Sequence, residues 1–284
     1  MRYLVLGAGG MAGHTIAIYL SEKKHYVDGF ARNPLVFCNT ITGDASNTAF
    51  LREIIKTGKY NAVINVIGIL NVAAEENRHE AVFVNSYLPH LLEHWTKDSS
   101  TKIVQISTDC VFSGKTGGYG EHSLTDGETF YDKSKALGEL DNEKDLTLRM
   151  SIVGPDKNQN GIGLFNWFMK QKSGIRGYTR AFWTGVSTIT LARAIEQAMF
   201  EDLNGIYNLV NGRKISKFEL LQIFNRQMRG GRVEIIPSEV PVIDKSLVNS
   251  RKDFTFVVPG YEEMVAEIKT WILSHHELYG HYGA

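Results

Sequence analysis

The feature that most constrains this chain is a glycine cluster directly behind a short apolar run. Residues 3–6 (YLVL) are all apolar, which is typical of a buried parallel strand. Residues 7–13 (GAGGMAG) follow, and a helical apolar pattern begins within them. Strand, tight glycine turn and helix together bind the pyrophosphate of a dinucleotide, because the backbone must approach the phosphates closely and the helix N-terminus offers free N–H groups.

The glycines match two spacings used for this purpose. Gly7, Gly9 and Ala12 fit the general dinucleotide fingerprint, whereas Gly7, Gly10 and Gly13 fit the spacing of short-chain dehydrogenases. A plain strand–helix turn is the alternative, since glycine turns before helices are common. The position directly behind a strand favours a dinucleotide site. The predicted phosphate-binding residues are Gly7, Gly9, Gly10, Met11, Ala12 and Gly13.

Composition limits the class of protein. A chain of 284 residues that is 43% apolar and 22% charged indicates a soluble globular fold with a sizeable core. The 31 basic and 31 acidic residues balance, so we expect neither nucleic acid nor a membrane as partner. Cys38 and Cys110 lack metal-type spacing and suit a reducing cytosol. The first apolar run is too short for a signal peptide, so a cytoplasmic location is expected.

Strand and helix patterns alternate along the first half of the chain. Strands are predicted at residues 25–31, 37–42, 61–68, 102–107 and 146–150, and helices at 47–56, 79–95 and 130–140. This alternation predicts an α/β fold, a Rossmann-like doubly wound parallel sheet. Later segments are predicted as helices at 164–171, 190–200, 216–228 and 261–275, a strand at 233–236 and a last sheet strand at 206–210.

The weaker pattern of the second half predicts a smaller α/β substrate-binding lobe. We expect the dinucleotide-binding domain to comprise residues 1–152 and about 187–212. The lobe would comprise about 153–186 and 213–284. Residues 216–219 (SKFE) match a capping box at the start of a helix, which is a structural signal.

Residues that follow the strands are candidate cofactor contacts, because ligands bind beyond the carboxyl ends of such sheets. Asp28 lies inside its strand rather than at the tip. Arg32 follows the tip and suits the 2′-phosphate of NADPH, with NADH as the second choice and a solvated arginine as the alternative. Asp44, beside Ala45, either accepts from the adenine amino group or caps the next helix.

Further candidates flank the expected nicotinamide end. Residues 65–68 (Asn65, Val66, Ile67 and Gly68) close a strong strand, and a small residue such as Gly68 suits packing against the cofactor ribose. Asn85, in the following helix, is either a structural tie or a substrate contact. Trp183 lies in an aromatic segment, residues 177–185, that suits a nucleotide base and sugar or, equally, a core beneath a loop.

The candidate catalytic residues come from two segments. Ser107, Thr108 and Asp109 emerge where a predicted strand ends. Tyr131 and Lys135 share one helix face by their i, i+4 spacing. A phenol with a pKa near ~10 is a poor acid at neutral pH, and a neighbouring ammonium lowers that pKa. With Thr108 oriented to the same carbonyl oxygen, the set predicts a carbonyl reductase.

With these motifs the chain resembles the extended short-chain dehydrogenase/reductase family and, within it, the dTDP-4-dehydrorhamnose reductase-like, sugar-nucleotide-binding group. The likeness lies in residues 7–13, 65–68, 107–114, 131–135, 148–154 and 205–209. It implies Tyr131 as proton donor, Lys135 as its partner and ribose ligand, and Thr108 as the hydroxyl that tunes them. That group usually has tyrosine after the aspartate, where this chain has Cys110. Family dehydratases have glutamate there, so Cys110 argues against dehydration.

The resemblance implies NADPH-dependent reduction of a nucleotide-activated 4-keto-deoxysugar, a step of carbohydrate biosynthesis. Asp109, Asn85 and Trp183 are the predicted substrate contacts. Two other readings remain: an NADP-binding regulatory subunit of the same fold, and a nucleotide-sugar epimerase. The expected partner is the sugar nucleotide, and a homodimer is left open as the assembly.

Charged residues in the last quarter of the chain carry less specific signals. Lys245 and Arg251 either contact substrate phosphates or are solvated, and the solvated reading is favoured. His275, His276 and His281 suggest a metal by their residue type only. Their spacing and position instead predict a disordered or surface tail, so no metal site is expected.

Overall fold

Strand β1 (Arg2–Leu6) is the centre of the molecule, because its side chains alternate between two hydrophobic clusters. Tyr3 and Val5 lie in a cluster with apolar residues of the helices on one face of the sheet. Leu4 and Leu6 lie in a cluster with the helices on the other face. All four are fully buried, which is the pattern of a parallel strand covered on both sides. This computed structural model describes residues 1–283.

Fourteen strands and eleven α-helices make up the described chain. The strands are β1 (Arg2–Leu6), β2 (Tyr26–Ala31), β3 (Asn39–Thr42), β4 (Ala62–Asn65), β5 (Lys102–Ile106), β6 (Leu146–Arg149), β7 (Ile152–Val153), β8 (Ile175–Tyr178), β9 (Ala181–Trp183), β10 (Val186–Ser187), β11 (Gly205–Asn208), β12 (Ile215–Ser216), β13 (Ile235–Ser238) and β14 (Ile243–Asp244). The helices are α1 (Met11–Glu22), α2 (Thr48–Gly58), α3 (Asn71–Glu76), α4 (Arg78–Ala81), α5 (Leu88–Thr96), α6 (Phe130–Ala136), α7 (Leu164–Met169), α8 (Thr188–Phe200), α9 (Lys217–Arg229), α10 (Tyr261–Ser274) and α11 (His276–Tyr279). A π-helical turn (Val82–Tyr87) joins α4 to α5, and 3₁₀ turns occupy Asp109–Val111 and Gly280–Tyr282.

Seven strands form one parallel sheet in the order β11-β6-β5-β4-β1-β2-β3. The chain runs outward from β1 through β2 and β3, then returns to the other side of β1 with β4. The carboxyl ends of β1 and β4 therefore flank the point where the strand order reverses, which is where such sheets bind ligands. The predicted doubly wound sheet is confirmed, and so is the last strand, β11, beside β6.

Three small sheets lie outside the main sheet. They are β7 with β10, β8 with β13, and the order β12-β9-β14. The capping box before α9 is confirmed, because Ser216 and Glu219 each bond the other's backbone N–H. Strand β13 begins two residues later than predicted. The division into a dinucleotide-binding domain and a substrate lobe stays a prediction.

The single helix predicted over residues 79–95 is wrong in detail, because the chain forms α4, a π-helical turn and α5. The side chains of Asn85 and Ser86 in that turn form hydrogen bonds to Ile69 and Ser134, which lie outside the predicted helix. Pro89 lacks an N–H, so it cannot donate to the carbonyl oxygen of Asn85. Helix α6 also ends earlier than predicted: a Cβ at Gly138 would lie 1.9 Å from that same carbonyl oxygen.

The prediction of a disordered or surface tail is wrong for the described residues. Helix α11 and the 3₁₀ turn that follows it pack onto the core through Tyr279, which is fully buried. The Tyr279 hydroxyl lies 2.6 Å from His14 Nε2 and 2.9 Å from Trp271 Nε1. His275 contacts Glu22. Among residues 1–283, no helix is both long and apolar enough to cross a bilayer.

Candidate active site

The glycine turn between β1 and α1 has the shape that a pyrophosphate needs. Gly7 has a φ of +85°, which a side chain would strain, and a Cβ at Gly13 would lie only 2.1 Å from the Gly7 carbonyl oxygen. Gly10 caps α1 without a side chain, and the first turn of α1 has no acidic residue. The free N–H groups of this turn (Met11, Ala12 and Gly13) therefore face an open cradle suited to an anion. Gly9 has no atom closer than 3.8 Å to its would-be Cβ, which leaves the cradle open.

Residues after β4 lie against this turn. Side-chain carbons of Val66 and Ile67 come within 3.3 Å of the position that a Cβ on Gly7 would take. Asn65 is fully buried and donates to Gln105 Oε1 at 2.8 Å, so it ties β4 to β5. Gly68 leads the chain onward, and a Cβ there would be 3.5 Å from Asn85 Oδ1. The structure thus brings the two predicted cofactor segments together at the switch point of the sheet.

The residues beyond β2 and β3 lie beside the same turn. Asp28 is buried and accepts hydrogen bonds from Arg2, Tyr60 and Asn39, so it faces away from the cofactor cradle. Arg32 is exposed just beyond Ala31, whose Cβ is 3.8 Å from the would-be Cβ of Gly9. An arginine at the rim of the cradle is available to a bound phosphate.

Asp44 forms a turn, not a helix cap. Its Oδ1 accepts from the backbone N–H of Ser46 at 2.8 Å, and the cap of α2 is Asn47. The capping alternative for Asp44 is therefore wrong. The hydrogen bonds from Ser46 lower the pKa of Asp44, with a smaller contribution from the charge of Arg32. Its neighbour Ala45 is buried in the core beneath the sheet edge.

The 3₁₀ turn after β5 and helix α6 hold the candidate catalytic side chains. A capping box starts α6: Asp132 N–H donates to Thr129 Oγ1, and Thr129 N–H donates to Asp132 Oδ2. This fixes the first turn, which carries Tyr131. One turn later, the Lys135 ammonium donates to the carbonyl oxygen of Ile106, the last residue of β5, at 2.7 Å. Ser107 donates to Glu139 at 2.6 Å, whereas Thr108 Oγ1 donates to Asp109 Oδ1 and accepts from the Cys110 N–H.

The acidity of Tyr131 differs from the prediction. Burial raises its pKa, with Cys110 adding to the increase and the Thr108 hydroxyl opposing it. The ring packs with Ala74 and Ala81 and is 7% exposed. The expectation that Lys135 lowers this pKa is wrong here, because burial dominates and the ammonium bonds Ile106. A raised pKa keeps the phenol protonated at neutral pH, and it also makes the phenol a weaker acid.

Lys135 shows the opposite effect of burial. Desolvation lowers its pKa to about 8, and the charge of Glu139 partly offsets this. Glu139 is itself engaged by Arg149 in a buried bidentate pair at 2.8 and 2.6 Å. Lys135 therefore changes charge within the ordinary working range of an enzyme. Perturbed lysines of this kind are typical of functional sites.

Two residues predicted to contact the substrate, Asn85 and Trp183, are buried within the protein. Asn85 is fully buried, and its amide bonds the backbone of Ile69 in both directions and Ser134 Oγ at 3.0 Å. Of its two readings, this geometry favours the structural tie. Trp183 is 2% exposed within the core cluster, which favours the core reading over stacking on a substrate. A substrate contact stays a prediction for both residues, and their burial does not support it.

Asp109 lies beside two lysines. It is buried, and Thr108 Oγ1 donates to its Oδ1 at 3.2 Å. Burial raises the pKa of Asp109, and the charges of Lys217 and then Lys245 oppose that shift. Lys245 also lies 3.9 Å from Asp132 Oδ2, so it is not a purely solvated charge.

Sequence reasoning missed Lys217, because it belongs to a segment recognised only as a capping box. Burial lowers its pKa, and the charge of Asp109 opposes that shift. Its ammonium lies 5.5 Å from the centre of the Trp183 ring. Burial likewise raises the pKa of the Cys110 thiol to about 12, so Cys110 stays neutral beside these charges.

The chain is similar in sequence and fold to known proteins. The sequence model of the family described as RmlD substrate binding domain matches residues 1–246. A probable low-salt glycan biosynthesis reductase of Haloferax volcanii is 30% identical over 161 residues, 54% of each chain. A dTDP-4-dehydrorhamnose reductase of Aggregatibacter actinomycetemcomitans is 31% identical over 49% of this chain and 45% of its own length. The matched segments thus span about half the length of these two relatives.

Solved structures share the fold over nearly the whole chain. A hypothetical dTDP-4-dehydrorhamnose reductase from Sulfolobus tokodaii is 25% identical with a TM-score of 0.76, covering 92% of this chain and 98% of its own. A dTDP-4-dehydrorhamnose reductase from Bacillus anthracis in complex with NADP is 20% identical with a TM-score of 0.80, covering 95% and 99%. The second likeness shows the fold alone.

Proposed function

This chain belongs to the family described as RmlD substrate binding domain, and from that premise we propose that it reduces a nucleotide-activated 4-keto-deoxysugar with NADPH. One observation carries the proposal. A phosphate cradle at the end of β1 and a protonated tyrosine with a buried lysine beyond β5 meet at the same edge of one sheet. The names of the relatives, dTDP-4-dehydrorhamnose reductase among them, support the substrate class.

Each residue of the site has a part in this reaction. The turn N–H groups would hold the pyrophosphate, Arg32 the 2′-phosphate, and Lys135 the nicotinamide ribose. NADPH, when bound, supplies the hydride for the carbonyl carbon. Tyr131 donates its phenolic proton to the carbonyl oxygen, which becomes the product hydroxyl. Thr108 would redirect its hydroxyl from Asp109 to the same oxygen and orient it.

The proposal is tested by following NADPH absorbance with a freshly generated dTDP-4-keto-6-deoxyhexose. NADPH should be consumed in proportion to the sugar reduced. NADPH deuterated at its reactive carbon should transfer the label to C4 of the product. An epimerase would interconvert sugars without net consumption of cofactor. A regulatory subunit would bind NADPH and show no turnover with any such sugar, and either result would contradict the proposal.

The pH dependence of this reaction should follow Lys135. Since burial lowers the pKa of Lys135 to about 8, kcat/KM should fall by about tenfold for each pH unit above that value. The sign follows from the charged form: the ammonium is present below its pKa and lost as pH rises through it. Tyr131 does not set this limit, because its own pKa is raised.

A matched variant identifies the titrating group. Lys135→Arg keeps a positive charge at every accessible pH, so the loss above pH ~8 should disappear even if its maximal rate is lower. The measurement is a pH–rate profile of kcat/KM for both proteins. If the loss of kcat/KM at alkaline pH persists unchanged in Lys135→Arg, the titration belongs to another group.

Arg32 should set the preference for NADPH over NADH. Arg32→Ala should weaken NADPH binding by about 10-fold or more, because a charge-assisted pair with the 2′-phosphate is lost. NADH binding should not change. Fluorescence titration of both cofactors measures the effect, and Arg52→Ala, an exposed arginine on α2, is the control. Equal weakening of NADPH and NADH would argue against a phosphate contact.

Three features remain predictions for this protein: the homodimer, the cytoplasmic location and the two-part domain division. Sedimentation of the purified chain at several concentrations tests the first. Limited proteolysis with and without NADPH tests the last, since a separate dinucleotide-binding domain should be protected by the cofactor.

A further inference from the structure

Lys217 presents an ammonium group that the rest of the described chain does not use. It is the first residue of α9, directly after the capping Ser216, and β12 pairs with β9 so that Ile215 faces Trp183. The ammonium lies over the Trp183 ring at 5.5 Å. Within residues 1–283, no oxygen accepts a hydrogen bond from it. Burial lowers the pKa of Lys217, although the residue is partly exposed and a ligand can reach its ammonium.

Asp109 has spare hydrogen-bonding capacity at the same place. Thr108 donates to Oδ1 and the Cys110 thiol also bonds the carboxylate, which leaves unused part of its capacity for about four hydrogen bonds. The residue is 6% exposed. Lys217 is the largest charge acting on it. A buried carboxylate and a partly exposed ammonium therefore lie near each other without a direct hydrogen bond.

This pair adjoins the reacting centre. Asp109 follows Thr108 in the 3₁₀ turn, and its charge contributes to the pKa of Tyr131. Lys245 is less available, because it lies 3.9 Å from Asp132. A sugar whose carbonyl oxygen is held by Thr108 and Tyr131 would thus present its neighbouring ring substituent to Asp109 and Lys217.

The chemistry of the pair selects a hydroxyl as that substituent. A hydroxyl both donates and accepts, so it can donate to Asp109 while it accepts from Lys217. A carboxylate or phosphate would be repelled by Asp109, and a methyl group would leave both charges unpaired. In a 4-keto-6-deoxyhexose the carbonyl carbon has two neighbours, and only C3 bears a hydroxyl.

We propose that Lys217 is a substrate-positioning residue that, together with Asp109, holds the hydroxyl on the carbon next to the reacting carbonyl. This inference rests on the proposed reductase function and names the part of the substrate that the site recognises. It explains why a lysine is kept over an aromatic ring beside the candidate catalytic tyrosine without a bond to the protein.

Equilibrium binding tests this proposal. The complex of the protein with NADP⁺ is titrated calorimetrically with dTDP-rhamnose, with its 3-deoxy analogue and with dTDP alone. Lys217→Met removes the ammonium with little change in length, and Lys217→Arg keeps the charge. Lys252→Met, at an exposed lysine, is the matched control. Circular dichroism and NADP⁺ titration establish that each variant is folded.

Lys217→Met should weaken dTDP-rhamnose binding by about 10-fold or more and leave dTDP and NADP⁺ binding unchanged. The 3-deoxy analogue should bind wild type and Lys217→Met equally weakly, and Lys217→Arg should recover part of the lost affinity. Lys252→Met should behave as wild type.

The other outcomes separate the two hypotheses. Equal binding of dTDP-rhamnose by wild type and Lys217→Met would overturn the role of Lys217 while leaving the reductase proposal standing. Equal weakening of dTDP and dTDP-rhamnose would assign Lys217 to the pyrophosphate and overturn the hydroxyl contact. A wild-type protein that binds NADP⁺ but no dTDP-sugar would overturn the proposed function, and the inference with it.

Discussion

Tyr131→Phe should lower kcat for sugar reduction by about 10²–10⁴-fold, the usual contribution of a positioned general acid. The change deletes only the proton that the carbonyl oxygen must receive. The ring should stay in place, because it packs with Ala74 and Ala81 and Phe fills the same space. Steady-state kinetics with NADPH and a 4-keto-sugar nucleotide measures the loss.

The raised pKa of Tyr131 sharpens this expectation. Since burial keeps the phenol protonated throughout the neutral range, the wild-type protein always holds the proton that the variant lacks. NADPH affinity should be unchanged, because the phenol is not its main anchor. Tyr178→Phe, on the partly exposed strand β8, should retain full activity. Full activity in Tyr131→Phe would instead assign the proton to another donor, such as Thr108 or water.

The pKa of Tyr131 is a property that the sequence could not predict. The i, i+4 spacing of Tyr131 and Lys135 placed both on α6, which is confirmed. Their electrostatic relation was not accessible from spacing. It depends on the Ile106 carbonyl, which engages the ammonium, and on the desolvation of the phenol by residues of α3 and α4.

The sheet could be predicted more fully from the sequence, because the sequence patterns that indicate its elements are local. Four apolar residues in β1, a glycine turn and the apolar stripe of α2 each predict their own element. The π-helical turn at Val82–Tyr87 was missed, since a run of apolar residues at helical spacing does not show that Asn85 and Ser86 bond outward.

A functional role for Lys217 could not be predicted from the sequence, for a related reason. Its neighbours Ser216 and Glu219 carry a clear local signal, which accounted for the segment. The approach of Lys217 to Asp109 depends instead on tertiary packing between residues far apart in the chain. Charge pairs that form only through tertiary packing leave no pattern of spacing to read.

The second large effect is on stability, at the buried pair of Arg149 and Glu139. The guanidinium donates to both carboxylate oxygens, at 2.8 and 2.6 Å, and both side chains are nearly inaccessible to water. Glu139→Gln keeps the shape but leaves the Arg149 charge without a counter-ion. The free energy of unfolding should fall by about 3–5 kcal/mol, measured as a lower urea midpoint with an unchanged m value.

Two controls separate charge loss from other causes. Glu128→Gln breaks the exposed pair with Lys115 and should leave the urea midpoint unchanged. Glu139→Met combined with Arg149→Met replaces the whole pair by apolar side chains and should recover part of the stability lost in Glu139→Gln. A double variant as unstable as the single one would mean that bonds from Arg149 to Glu121 and to its other neighbours, and not the charge pair, hold this region.

Glu139→Gln should also change the pH dependence of catalysis, which connects the buried pair to the active site. The charge of Glu139 raises the pKa of Lys135 against the effect of burial. Without that charge the ammonium is less favoured, so the alkaline loss of kcat/KM should begin at lower pH than in wild type. Profiles recorded well below the unfolding temperature of the variant isolate this effect. If the alkaline loss of kcat/KM occurs at the same pH as in wild type while stability is reduced, Glu139 supports the fold without changing the pKa of Lys135.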